Sequence, residues 1–84
     1  MYKELIKSYI PKLTPKLIKE YGKKLNISLT DSETIILYQF IMKNYSEILE
    51  GNETSFIELK KKLSPTLYTQ LIKLYNENKM KYLY

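Results

Sequence analysis

Thr30-Asp31-Ser32-Glu33-Thr34-Ile35-Ile36-Leu37-Tyr38-Gln39-Phe40-Ile41-Met42-Lys43-Asn44-Tyr45-Ser46-Glu47-Ile48-Leu49-Glu50-Gly51 is the stretch whose reading decides the fold. Residues 35–42 alone have the residue types of a strand. The apolar pattern runs on through Tyr45, Ile48 and Leu49, however, and a typical strand is only about 5–6 residues long. Length therefore decides for a helix. Thr30 and Glu33 stand at the spacing of a capping box, with Asp31 in the first turn where negative charge is favourable. Gly51 is a natural left-handed residue just past the helix end. Apolar positions cover most of this helix's circumference, so it should be the central and most buried element.

The flanking sequence divides at its prolines. Leu5, Ile6, Tyr9 and Ile10 recur at helical spacing and define a first helix that stops before Pro11. Thr14-Pro15 is a helix start, a hydroxyl acceptor followed by a residue with no N–H to leave unpaired. Leu17, Ile18, Tyr21 and Leu25 then form one face of a second helix. Gly22 lies inside it and marks a close helix–helix approach. Asn26 to Leu29 reads as a connector. Beyond Gly51, Thr54 or Ser55 should cap a helix with Phe56, Leu59 and Leu63 inward. Ser64-Pro65 repeats the hydroxyl–proline start and opens a last helix carrying Leu67, Leu71, Leu74 and Tyr75. The apolar pattern weakens after Asn76, so residues 77–84 are expected to form a frayed or docked tail. The expected architecture is a single all-α domain over residues 1–84, a compact bundle of four to five short helices around a central helix at 31–49.

Composition limits the chemistry. The 84 residues contain 14 Lys and no Arg, His, Cys, Trp, Ala or Val, with a net charge of +5. Lys, Asn, Ile, Tyr and Phe together supply 40 residues, and all five have AT-rich codons, so part of the Lys content reflects coding bias. Without Cys or His there is no disulfide, thiolate zinc site or imidazole base. No phosphate loop, nucleophile elbow or nucleophile–base–orienter trio is present, so no enzyme activity and no cofactor are expected. Glu47, Glu50 and Glu53 lack the alternating acids and turn glycine of a calcium loop. Glu47 and Glu50, near a helix C-terminus where negative charge is mildly unfavourable, are instead expected to be neutralised by Lys from the first or fourth helix. The longest uncharged run, Leu63 to Ile72, is ten residues, about half of the roughly 20 that span a bilayer, and it contains Pro65 and four hydroxyl or amide side chains besides Tyr68. The N-terminus does not read as a signal peptide. A cytoplasmic protein without a membrane partner is expected.

Charge is unevenly distributed, and it carries the first of two functional expectations. Residues 1–24 have net charge +5, residues 25–53 have −4, and residues 54–84 have +4. The basic ends permit a Lys-driven nucleic-acid-binding domain, helix-turn-helix-like over 56–75. Its contacts would be Lys60, Lys61, Lys62, Thr66, Thr69 and Gln70, since hydroxyls and Gln meet bases and phosphates. The acidic middle and the missing Arg weaken it, because Arg–guanine pairing is the commonest specific contact. The second expectation is stronger. Nine Tyr are too many for one small core, and Tyr combines large area with a polar tip at protein interfaces. Tyr38, Tyr45, Tyr68 and Tyr75 fall on or beside apolar faces and form the candidate interaction surface. The leading expectation is a non-catalytic interaction or regulatory module for a protein partner or a second copy of itself.

Leu13-Thr14, Leu17, Tyr21-Gly22-Lys23 and Ile27-Ser28-Leu29-Thr30, followed by Ile41, Asn44, Ile48, Leu63-Ser64-Pro65 and Leu71, resemble an uncharacterised family. It is the YqfT-like domain of unknown function from low-GC Gram-positive bacteria. The resemblance implies a small helical fold in a cytoplasmic bacterial or phage setting. It implies no activity, cofactor or site residues. The absence of Ala and Arg and the aromatic tail depart from the family pattern.

Overall fold

Capping accounts for both ends of the central helix. In the computed structural model, which describes residues 2–82 and side chains from 3 to 79, this helix is α3, Asp31–Leu49. At its start the Glu33 N–H donates to Thr30 Oγ1 at 3.1 Å. The Thr30 N–H donates to Glu33 Oε1 at 2.9 Å, completing the capping box. At its end Gly51 takes φ +90°, and two N–H groups bond back, Asn52 to Glu47 O at 2.9 Å and Gly51 to Ile48 O at 3.0 Å. This is a Schellman reversal with Gly at the left-handed position.

Around α3 lie α1 (Tyr2–Tyr9), a 3-10 turn (Ile10–Lys12), α2 (Pro15–Lys24), α4 (Phe56–Lys62) and α5 (Pro65–Tyr82). Among the described residues there is no strand, so the chain is an all-α bundle of five helices. Pro11 sits within the 3-10 turn, ending α1 as its ring demands. Thr14 and Ser64 cap α2 and α5, their hydroxyls accepting from Leu17 N at 3.2 Å and Leu67 N at 3.3 Å. The helix α5 runs on to Tyr82, beyond the weakening of its apolar pattern at Asn76; residues 83–84 lie outside the described residues.

The core is a single cluster of Leu13, Ile18, Ile27, Leu37, Leu59, Leu63 and Leu67. Leu49 is also buried but stands apart from it. Thr34, the one buried polar side chain among the described residues, donates its hydroxyl to Thr30 O at 2.8 Å. That bond removes the cost of hiding the hydroxyl beside the core.

Three local expectations are corrected by the tertiary arrangement. Gly22 does mark a close approach, but of the following loop rather than another helix. Asn26 adopts φ 60°, Ile27 N bonds to Gly22 O at 2.8 Å, and Asn26 N bonds to Lys23 O at 3.2 Å. A second Schellman reversal thus folds Ile27–Leu29 back over Gly22, where a Cβ would lie 2.9 Å from Ile27 O. Thr54 and Ser55 make no side-chain cap on α4. Asn52 Oδ1 instead accepts from the Thr54 N–H at 3.1 Å, and Ser55 enters the helix already in the right-handed region. Lastly, Leu5, Tyr21 and Leu25, placed by periodicity on inward faces, are 63%, 39% and 53% exposed. The neighbours of α1 and α2 cover only part of their apolar circumference.

The central position of α3 is as expected, yet its burial is incomplete. Ile35 remains exposed, and Phe40, Ile41, Tyr45 and Ile48 are only half-buried. Helices of 8, 10, 7 and 18 residues do not wrap a 19-residue helix completely. The gap they leave is the molecule's main surface feature.

Candidate interaction surface

The gap is an open groove of about 350 Å³ with α3 as its floor. One wall is α1 and its turn, contributing Ile6 and Ile10. The other is α5, contributing Leu71, Ile72 and Tyr75, with Phe56 of α4 at its foot. Ile41, Tyr45, Ile48 and Leu49 line the floor. Helical spacing explains the floor: positions 41, 45 and 48 recur at intervals of four and three and share one face. The exposed wall is wholly apolar, and its volume lies within the range of sites that bury ligands or anchoring side chains.

An aromatic ladder holds the α5 wall in place. Phe56 stacks on Phe40 with centroids 5.6 Å apart and meets the Tyr75 ring edge-on at 5.0 Å. The Tyr75 hydroxyl donates to Glu53 Oε2 at 2.8 Å, and Lys79 Nζ lies 3.5 Å from the same oxygen. Lys79 also sits 5.7 Å from the Tyr75 ring centroid. The rim on this side therefore carries paired charges over an apolar interior. On the α1 side, Lys7 Nζ lies 3.5 Å from Glu50 Oε1. So Glu50 is paired from the first helix as expected, whereas the Glu47 side chain makes no ion pair with the lysines of the described residues, and Glu53 is paired from the last helix. Different helices draw Glu50 and Glu53 away, and among the described residues no three potential metal ligands converge.

Outside the groove, on the neighbouring face of α1, lies a second apolar feature. Leu5 and Tyr9 are one turn apart on α1, and Tyr21 and Leu25 are one turn apart at the end of α2. The Tyr9 and Tyr21 hydroxyls are hydrogen-bonded to each other, joining the two pairs into one exposed row. The bond with Tyr21 pushes the Tyr9 phenol above its ordinary value, and desolvation and the neighbouring phenol act in the same direction. A raised folded-state value means the contribution is present below the ordinary phenol range and lost as pH climbs through the raised value. Lys24 lies 5.8 Å from the Tyr21 ring centroid, at the edge of the row.

The four tyrosines singled out from sequence are not equally placed. Tyr45 and Tyr75 both line the groove, one on its floor and the other on its α5 wall. Tyr68 joins Tyr75 in an adjoining hollow with Ile57 and Ile72. Tyr38 packs half-buried against the core and lines none of these. Sequence reasoning missed the row formed by Leu5, Tyr9, Tyr21 and Leu25, because each helix read by itself assigns those residues inward. The only local sign was that apolar residues on α1 occupy adjacent positions, 5 and 6 then 9 and 10, a stripe wider than one neighbour covers.

The six residues of the nucleic-acid expectation, Lys60, Lys61, Lys62, Thr66, Thr69 and Gln70, are all exposed. They do not form one stripe. Lys60 borders the hollow that contains Tyr68 and Tyr75, whereas Lys62 borders a hollow with Ile36, Gln39 and Lys43. Successive residues on a helix are about 100° apart, so the triplet fans around α4. Among the described residues no helix is long and apolar enough to cross a membrane. Comparison of the chain with known proteins finds no family model, no curated protein and no solved structure that matches it.

Proposed function

We propose that the chain is a non-catalytic interaction module, acting in the cytoplasm of a bacterium or phage-infected cell, whose docking site is the groove between α1, α3 and α5. The observation that carries this reading is the wholly apolar interior of an open groove whose rim charges already pair with one another. Such a surface gains by taking apolar side chains out of water, at about 25 cal/mol per Å² covered. An occupant presenting two or three apolar anchors at helical spacing fits this geometry, in the manner of a helix laid in a groove. Lysines on the flanking helices act on encounter rate more than on lifetime of the complex.

The fanned arrangement of Lys60–Lys62 supports nucleic-acid binding less well, because a duplex or strand is tracked by a continuous line of cations. The test compares wild-type chain and Ile48→Asp as matched baits in the native host. Ile48 is half-buried on the groove floor, so the variant's helicity is first checked by circular dichroism. The expected result is one particular protein retained by wild type and depleted about tenfold or more with the variant, the scale of losing one central anchor. Identical retained sets from two folded baits would sink the reading. So would recovery of nucleic acid alone.

A further inference from the structure

We infer that the exposed row of Leu5, Tyr9, Tyr21 and Leu25 seats the chain on an anionic lipid surface, with neighbouring lysines facing the headgroups. The row lies outside the groove, and the inference holds whatever the groove takes. Shape is the first argument. Leu5 and Leu25 are 63% and 53% exposed, and none of the four residues lines any of the hollows described above. The row is therefore a ridge, and the Tyr9–Tyr21 hydrogen bond holds its two helices as one surface. A protein partner needs a matching furrow to cover a ridge. The fluid boundary between headgroups and acyl chains closes around a ridge of any outline. Residue type agrees with that boundary: leucine enters the apolar side, and tyrosine, with an apolar ring and a polar tip, sits at the interface itself.

Charge is the second argument. Residues 1–24 carry seven Lys against Glu4 and Glu20. Lys7 and Lys19 are taken up by Glu50 and Asp31. The other five, Lys3, Lys12, Lys16, Lys23 and Lys24, make no ion pair with the carboxylates of the described residues. Two of these five border the row, because each tyrosine has a lysine three residues on, Lys12 after Tyr9 and Lys24 after Tyr21. Side chains at that spacing share a helix face, and Lys24 lies 5.8 Å from the Tyr21 ring centroid. An apolar ridge bordered by unpaired cations complements a bilayer with anionic headgroups, where each lysine near the surface strengthens binding about fivefold. Glu4 and Glu20 reduce the surplus without reversing it.

The leucines then separate this occupant from a polynucleotide. A nucleic acid would satisfy the lysines and stack on the tyrosines, yet it would leave Leu5 and Leu25 in water. That no helix among the described residues is long and apolar enough to cross a membrane bears on spanning alone, and an interfacial contact needs no span.

The experiment is co-sedimentation of the full chain with lipid vesicles at low and at high salt. One set is phosphatidylcholine alone, and the other contains about one third phosphatidylglycerol. The chain is expected to pellet with the anionic vesicles at low salt, to be released as salt rises, and to stay in solution with phosphatidylcholine. Leu5→Asn and Leu25→Asn are each expected to weaken binding about tenfold, and Lys12→Gln with Lys24→Gln about tenfold or more together. All four positions are exposed, so these variants should keep the circular dichroism spectrum of wild type. Ile48→Asp, altered only in the groove, should bind vesicles as wild type does. A chain that ignores anionic vesicles overturns the inference. Binding indifferent to both leucine substitutions overturns it too, since lysines alone would then hold the chain. Equal binding to the two kinds of vesicle removes the charge argument and is equally fatal. Retention of a single-stranded oligonucleotide with no binding to vesicles replaces the lipid surface by nucleic acid.

Discussion

Replacing Phe56 by Ala should lower the free energy of unfolding by about 3 kcal/mol, the lower end of the range for truncating a core phenylalanine. That end applies because Phe56 is half-buried. Two further considerations keep the effect from being smaller. The ring makes both contacts of the ladder, stacked on Phe40 and edge-on to Tyr75, and such pairs add about 0.5–1.5 kcal/mol each beyond buried area. Moreover α4 has only seven residues, far too few to be helical unaided, and is held chiefly by Phe56 and Leu59. At roughly 0.05–0.15 kcal/mol per residue a chain of 84 residues has a net stability of about 4–13 kcal/mol, so the variant should keep a folded population and unfold at markedly lower urea. Urea titration at a concentration where the chain is monomeric measures this. Phe56→Leu, which keeps apolar volume but removes the ring pairs, should fall about midway. A loss under about 1 kcal/mol for Phe56→Ala would mean that the ladder does not hold α4.

Gly22→Ala is the more diagnostic substitution, because two effects of opposite sign compete. In an open helix Ala is better than Gly by about 1 kcal/mol. Here a Cβ would stand 2.9 Å from Ile27 O and 3.0 Å from Leu29 Cδ1. The leucine methyl can turn aside; the carbonyl belongs to the reversal that returns Ile27 N to Gly22 O and has nowhere to go. Overpacking costs about 1–3 kcal/mol and often more when backbone must shift. Repulsion should win, leaving the variant about 1–2 kcal/mol less stable than wild type. Gly51→Ala is the control for conformation without crowding, since its Cβ meets nothing within 4 Å but φ is +90°. It should cost about 1–2 kcal/mol through backbone strain alone. Thermal melts of both variants decide the matter. An increase in melting temperature for Gly22→Ala would show that the loop does not lie on the helix.

These two glycines also show where sequence reading succeeds and where it stops. Gly51 was legible because a helix end makes a local demand: unpaired carbonyls and a left-handed residue one step beyond. The Thr30–Glu33 box, Thr14-Pro15 and Ser64-Pro65 were legible for the same reason, each within four residues. Gly22 announced a close approach but not its partner, which depends on how Asn26 turns the chain. Ser55 looked like a cap, yet Asn52 closes the turn before it, so two acceptors competed for one role. The groove was the least legible feature. Tyr45 and Tyr75 were named as surface candidates, but nothing local separates them from Tyr38, which packs on the core. That distinction is made by the gap between α1 and α5, helices more than fifty residues apart in the chain. Leu5 and Leu25 failed for the complementary reason, since a stripe of apolar residues states a wish for burial without saying that a neighbour is present.

The reversal at Asn26 also bears on the order of events during folding. It returns the chain so tightly that α2 and α3 meet through residues close in sequence, Ile18 and Leu37 among them. Closing so short a loop costs little entropy and takes about 10–100 ns, far less time than most folding steps. This hairpin of helices should be the nucleus, with α4 and α5 added next and α1 settling late against the end of α3. Kinetic φ-values near one at Ile18 and Leu37 and near zero at Ile6 would bear this out, and the opposite gradient would refute it. On this route the groove acquires its second wall only at the final step. A nascent chain therefore shows its apolar floor to the surroundings longer than any other part of its interior.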